Sequence, residues 1–213
     1  MLRLIKYTLI FAISLSANAN DDLSYLLNDQ YSSSAHGGIG LIQIPTARFT
    51  NDGEFGFGVS GEGPYNRVYA NMQFFPWMEA TLKYTETTYK AYAEGSDQTW
   101  KDKGIDVKIR LLDETNVLPE IAVGLIDLIG TGAYSSEYLV ASKRFENFDW
   151  TIGLGWGRLG GVDHLNNFFS WVDEDRKRRA GGSTFGGKIN FERLFSGESI
   201  SIFGGLEYFT PID

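Results

Sequence analysis

From residue 53 to residue 112 apolar and polar residues alternate almost without a break. Phe55, Phe57 and Val59 interleave with Glu54, Gly56, Gly58 and Ser60. Val68, Ala70, Met72 and Phe74 interleave with Arg67, Tyr69, Asn71 and Gln73. Met78, Ala80, Leu82 and Tyr84 alternate with Glu79, Thr81, Lys83 and Thr85, and Ile105, Val107, Ile109 and Leu111 with Asp106, Lys108 and Arg110. Successive side chains on a strand point to opposite faces, so each segment predicts a strand with one apolar and one polar face. The same reading continues to the end of the chain. It gives about nine strands, near 53–60, 66–75, 77–90, 104–112, 120–128, 137–145, 149–157, 183–193 and 199–209. The pattern is least regular at 120–128 and 137–145, where Ile126 and Leu139 fall on the nominally polar side.

The links between strands are unequal. Those at 75–77, 146–148 and 194–198 are short, whereas 91–103, 129–136 and above all 158–182 are long. Long and short links roughly alternate, as in an up-and-down sheet whose two ends face different surroundings. Aromatic residues gather beside the short links: Phe74, Phe75 and Trp77; Phe145, Phe148 and Trp150; Phe191 and Phe195. Rings at strand ends resemble an interfacial girdle. A soluble sandwich also alternates, because one face meets a core and the other meets water. The strands expected here reach the roughly 9–11 residues of a tilted membrane span, against about 5–6 for soluble strands. Their polar faces carry Arg67, Lys83, Lys108, Arg110 and Lys188, which suits a wet lumen.

Composition adds three constraints. With 25 glycines and 15% aromatic residues the chain suits antiparallel β-structure with many turns. The net charge of −8 argues against a nucleic-acid partner. Cysteine is absent, which excludes disulfides, thiol chemistry and acylation of an N-terminal cysteine in this sequence. At the N-terminus Arg3 and Lys6 precede an apolar run over 7–15 and the small-x-small site Ala17-Asn18-Ala19. This is the pattern of a secretory signal peptide over 1–19, too short in its apolar run for a spanning helix. Residues 20–52 then form a leader with a possible short helix and the segment GGIGLIQIPTAR, and 53–213 the sheet.

No catalytic constellation stands out. His36 and His164 lie in different links and read as solvated loop residues. No cluster has the spacing of a metal site, and no nucleophile motif is present. No cofactor, metal or enzymatic activity is therefore expected. The link at 158–182 sets Trp171 beside Asp173-Glu174-Asp175 and the basic run Arg176 to Arg179. Trp171, Arg176, Arg178 and Arg179 are candidate contacts for acidic sugar or lipid phosphate. The plainer reading is a flap whose charges pair at i,i+3 and i,i+4.

The run Gly38-x-Gly40-Leu41-Ile42-x-x-Pro45-Thr46-Ala47-Arg48 followed by Gly53-Glu54-Phe55 resembles the YjbH family of exopolysaccharide-associated outer-membrane proteins. So do Asn66-Arg67-Val68-Tyr69, residues 102–108, the stretch PEIAVGLIDLIGTG at 119–132, residues 137–143 and Gly204-Gly205-Leu206-Glu207-Tyr208. The resemblance implies a β-barrel of the Gram-negative outer membrane that assists production or export of an exopolysaccharide or capsule. Family members can be lipoproteins and are several times longer, so this chain is expected to be an N-terminal portion of a longer protein or a truncated reading frame. The odd strand count agrees, since single-chain bacterial barrels have even numbers.

The expected fold is thus all-β, an up-and-down antiparallel outer-membrane-type barrel, incomplete in these residues. The expected location is the cell outer membrane, reached by a signal peptide and without a lipid anchor. Expected partners are outer-membrane lipid, an anionic polysaccharide contacting Arg67, Lys83, Lys108, Arg110 and Lys188, and other export-system proteins. The alternatives are a surface-adhesion or structural barrel and a soluble periplasmic glycan-binding β-protein.

Overall fold

The computed structural model describes residues 11–15 by backbone alone and residues 31–161, 164–181, 187, 189 and 191–210 in full. In chain order the strands are β1 (Phe11–Leu15), β2 (Gly40–Leu41), β3 (Ile44–Pro45), β4 (Phe55–Glu62), β5 (Tyr65–Phe75) and β6 (Met78–Ala91). They continue with β7 (Thr99–Leu112), β8 (Glu120–Ile126), β9 (Ser136–Phe145), β10 (Phe148–Gly157), β11 (Leu165–Asn166) and β12 (Ser199–Tyr208). Ten of them form one antiparallel sheet in the order β1-β4-β5-β6-β7-β8-β9-β10-β12-β11, and β2 and β3 pair separately as a small hairpin.

The sheet does not close. β1 and β11 are its outer strands, and no ladder joins them among the described residues. The expected barrel is therefore an open, curled sheet in this chain. The apolar run assigned to a signal peptide supplies β1, whose backbone pairs with β4 from Phe11↔Val59 to Leu15↔Phe55. Of the strand expected at 183–193 only the last residues are described as an element, and they are not a strand. Much of that stretch lies outside the described residues, and Phe191–Arg193 is a 3₁₀ turn. β10 pairs with β9 on one side and β12 on the other, so both its ladder edges are occupied and no strand fits between. The short helix expected within 20–34 falls mostly outside the described residues.

The two faces of the sheet are inverted relative to a water-soluble protein. In β5 and β6 the buried side chains are Arg67, Tyr69, Asn71, Gln73, Glu79, Thr81, Lys83, Thr85 and Thr87. The exposed ones include Val68 (56%) and Leu82 (56%), and across the sheet Ile152 (62%) and Ile202 (60%). Register aligns these into rows. Phe57, Ala70, Leu82 and Ile105 lie side by side on the outer face, and Gly58, Tyr69, Lys83 and Gly104 on the inner one.

The inner face is covered by residues 31–50, which run along it as a strap. The strap carries the β2–β3 hairpin, whose Leu41 and Ile44 reach β12 at Gly205. Its carbonyl at Ala35 accepts from Ser60 Oγ at 2.6 Å, and the Ala47 N–H donates to Ser142 Oγ at 2.9 Å. Close contact is possible because Gly37, at φ 103°, lies against Tyr69; a Cβ there would sit 2.6 Å from the ring. The small apolar core, Ala47, Phe49, Ala122, Tyr138 and Val140, lies where the strap meets β8 and β9. This explains the irregular alternation there: the inner positions of β8 and β9 meet apolar strap residues, while Leu139 faces outward.

The two ends of the sheet differ. Phe74, Phe75, Trp77, Phe145, Phe148 and Tyr208 are exposed at one end, beside the turns joining β5 to β6 and β9 to β10. The link 113–119 shares that end, whereas the links 92–98, 127–135 and 158–198 are at the other, together with the two-residue turn at 63–64. Phe191 and Phe195 belong to that second end, not to the ring beside the short turns. There Phe195 packs on Trp156 at 5.1 Å between ring centres, with Phe168 and Phe169 alongside. Buried Asn167 holds this cluster, accepting from Trp156 Nε1 at 3.2 Å and donating to the Phe195 and Gly197 carbonyls.

Candidate functional site

Charges buried on the inner face are matched almost one to one. Arg48, at the end of the strap, is 3% exposed. Its guanidinium donates to both oxygens of Asp149 at 2.6 and 2.7 Å, to Glu120 at 2.9 Å and pairs with Glu114 at 2.6 Å. Arg110 Nε also meets Glu120 at 2.7 Å, and Lys143 meets Glu114 at 3.0 Å. Burial by itself would lower the Arg48 pKa. The Asp149 and Glu114 contacts outweigh it and raise the pKa, so Arg48 stays charged. Further along, Lys108 Nζ meets Glu79 at 3.3 Å and donates to the strap carbonyls of Ile39 and Arg48 at 3.2 and 2.6 Å. Charge-assisted bonds of this kind hold an extended segment in place without a large apolar core.

Toward the end with long links, strap and sheet part around a cavity of about 400 Å³. Arg67, Lys83, Tyr65, Tyr134, His36 and Arg158 are among its walls. Lys83 is paired with Asp106 at 2.6 Å. Tyr65 and Tyr134 meet edge to face at 5.9 Å, with the Arg67 guanidinium 5.1 Å from the Tyr65 ring centre and Arg158 4.8 Å from that of Tyr134. His36 is half-buried here. Burial, then the charges of Arg67, Lys83 and Arg158, pull its pKa down to about 3, so its ring is neutral. Asp127, buried in the link after β8, is pushed up to about 6 by burial and by neighbouring Asp102.

The structure brings part of the set singled out from sequence together. Arg67, Lys83 and Lys108 line the cavity, Lys108 from beneath the strap. Arg110 lies apart near Phe49 at the opposite end, 4.5 Å from its ring centre. Lys188 lies outside the described residues. In the long link Trp171 is 79% exposed and Arg178 is exposed. Arg176 and Lys177 pair with Asp173 and Glu174 three residues back, at 3.4 Å each. Arg179 turns inward and forms a two-pronged pair with Glu137 at 2.7 Å. His36 is a cavity residue and not a solvated one; His164 is exposed.

Sequence reasoning did not single out the Arg48 cluster, Tyr65, Tyr134 or Arg158. Glu120 and Asp149 open adjacent hairpins at the same end of the sheet, which is the signal that a cation must meet them there.

No helix among the described residues is long and apolar enough to cross a membrane, which leaves crossing by strands open. Residues 32–213 match the model of a family described as exopolysaccharide biosynthesis protein YbjH. The chain belongs to the YjbH family. It is similar to a protein of Escherichia coli strain K12 named uncharacterized lipoprotein YjbH, 41% identical over 184 residues. The match covers 84% of this chain and 26% of that relative, so the chain spans about a quarter of the relative's length. No solved structure matches. The expected location without a lipid anchor is corrected by this comparison: a relative this similar is named a lipoprotein. The missing cysteine describes the residues in hand and does not decide how the protein is anchored.

Proposed function

We propose that this YjbH-family chain is a section of wall in an outer-membrane β-barrel and that it assists exopolysaccharide production or export without catalysing a reaction. One inversion supports the reading. The face with Gln73, Glu79, Thr81, Lys83 and Lys108 is buried, while Val68, Leu82, Ile152 and Ile202 are exposed across several strands. Exposed apolar surface on that scale needs a cover, and a hydrocarbon layer supplies one along a whole sheet. Rings at the short-turn end suit the interface, and Lys103, exposed beside Tyr84 near the other end, suits snorkelling to headgroups. The inner side, its charged face capped by the strap and opened by the cavity between them, then turns toward an aqueous lumen that meets the glycan.

The test uses cells lacking the gene, complemented with the full-length protein. Leu82→Arg and Ile152→Arg on the outer face should abolish membrane retention and polysaccharide secretion together. Secretion at wild-type levels from both variants would refute the reading.

A further inference from the structure

We propose that the cavity between strap and sheet binds an acidic sugar, with Arg67 and Arg158 gripping the carboxylate of a hexuronate residue while Tyr65 and Tyr134 pack on its ring. The inference rests on the reading that this protein handles a glycan, and names the glycan's class and its site.

Size is the first ground. About 400 Å³ lies at the lower end of small-ligand cavities, roughly 300–1,000 Å³, and admits one or two sugar rings of a longer glycan. Charge is the second. Lys83 and Lys108 are neutralised by Asp106 and Glu79 at 2.6 and 3.3 Å. Glu62 stands 3.8 Å from Arg67, is 35% exposed and is engaged by Gln43. Arg158 contacts no carboxylate among the described residues; its side chain donates to the Ala133 carbonyl at 3.5 Å and to Tyr65 Oη at 3.4 Å. In a chain of net charge −8, the cavity therefore presents a cation in excess.

The third ground is an unused donor. Arg67 is 7% exposed, yet its Nη1 makes no hydrogen bond among the described residues. A buried guanidinium N–H without an acceptor is costly, and a ligand carboxylate removes that cost. Both guanidinium groups lie over tyrosine rings, 5.1 and 4.8 Å from their centres, which holds them at the cavity wall; Arg158 gives up only two long hydrogen bonds to meet a carboxylate. The two tyrosines in the wall favour a ring-bearing anion over a bare one, and neutral His36 adds a polar wall without repelling the sugar hydroxyls.

The experiment measures binding of trigalacturonate, maltotriose and inorganic phosphate to the full chain in detergent micelles. Calorimetry and the fluorescence of Trp100, whose ring centre is 5.8 Å from that of Tyr134, report binding. Trigalacturonate should bind at least tenfold more tightly than either comparison ligand. Arg158→Gln should weaken it tenfold or more with an unchanged melting point, because Arg158 is exposed and its two hydrogen bonds are long. Arg158→Lys should recover only part of the loss, since charge returns without the fork. Equal binding of maltotriose, equal binding of phosphate, no binding by folded protein, or an Arg158→Gln variant of full affinity would each overturn the site. Bilayer insertion is scored on the same preparations. Insertion without trigalacturonate binding overturns the site alone, whereas binding without insertion overturns the barrel reading and leaves the site standing.

Discussion

Removing the Arg48 side chain should unfasten the strap. In Arg48→Ala three carboxylates lose their shared partner, but unequally. Glu120 keeps Arg110 at 2.7 Å and Glu114 keeps Lys143 at 3.0 Å. Asp149, with a side chain 3% exposed, keeps no cation among the described residues. The loss is therefore that of one buried, uncompensated carboxylate, about 3–5 kcal/mol. Asp149→Asn removes the stranded charge but keeps a hydrogen-bond acceptor for Arg48, and should cost about 1–2 kcal/mol. The double variant should be more stable than the sum of the single losses by about 2 kcal/mol, because its second change removes the charge exposed by the first. Urea unfolding in micelles, followed by tryptophan fluorescence, gives the three values. Limited proteolysis should cut within residues 31–50 in Arg48→Ala first. A loss below 1 kcal/mol in Arg48→Ala, or strict additivity in the double variant, would refute the role given to this cluster.

Three further outcomes follow from named contacts. Leu82→Arg, at the middle of the outer face, should cost about 2–4 kcal/mol in bilayers, as for a lipid-facing position, whereas a water-facing site would change by less than about 0.5; unfolding from vesicles measures it. His36, with its pKa lowered from 6.5 to about 3, favours the fold fully above pH 6.5. As pH falls below 6.5 the unfolded chain takes up the proton first, so this stability is lost, by up to about 2 kcal/mol at pH 5. His36→Gln should remove that part of the pH slope, and an unchanged difference between pH 7 and pH 5 would count against it. Asp127, with its pKa raised to about 6, acts in the opposite direction between pH 6 and 4, so the comparison must be variant against wild type at each pH. Gly124→Ala would place a Cβ 2.0 Å from Tyr138 Cζ in the core and should lower stability by about 1–3 kcal/mol, checked by the melting point.

The alternation at 53–112 was enough to place β4 to β7 and to divide their faces, because register repeats the two-residue period across neighbouring strands. It could not say which face is buried, since a soluble sheet and a lipid-facing wall share one pattern. The strap made the difference visible: its Arg48, Ala47 and Phe49 touch β7 to β10 from residues some 60 to 100 positions away, and such pairings leave no local periodic signal. The end of the strand expected at 183–193, Phe191–Arg193, is a 3₁₀ turn for a related reason. Local alternation cannot see that both edges of β10 are already taken. Arg67 was legible as an inward charge, but Tyr65, Tyr134 and Arg158 come from a strand start and two long links, and only the curl of the sheet brings them together.

The central claim, that the apolar face meets lipid, is tested most directly with a variant retaining Trp150 as its one tryptophan. Trp150 is 54% exposed on the outer apolar surface toward the short-turn end, next to Leu206 of β12. In bilayers with brominated acyl chains its fluorescence should be strongly quenched, and aqueous iodide should have little effect. Quenching by iodide with no effect of brominated lipid would contradict the account.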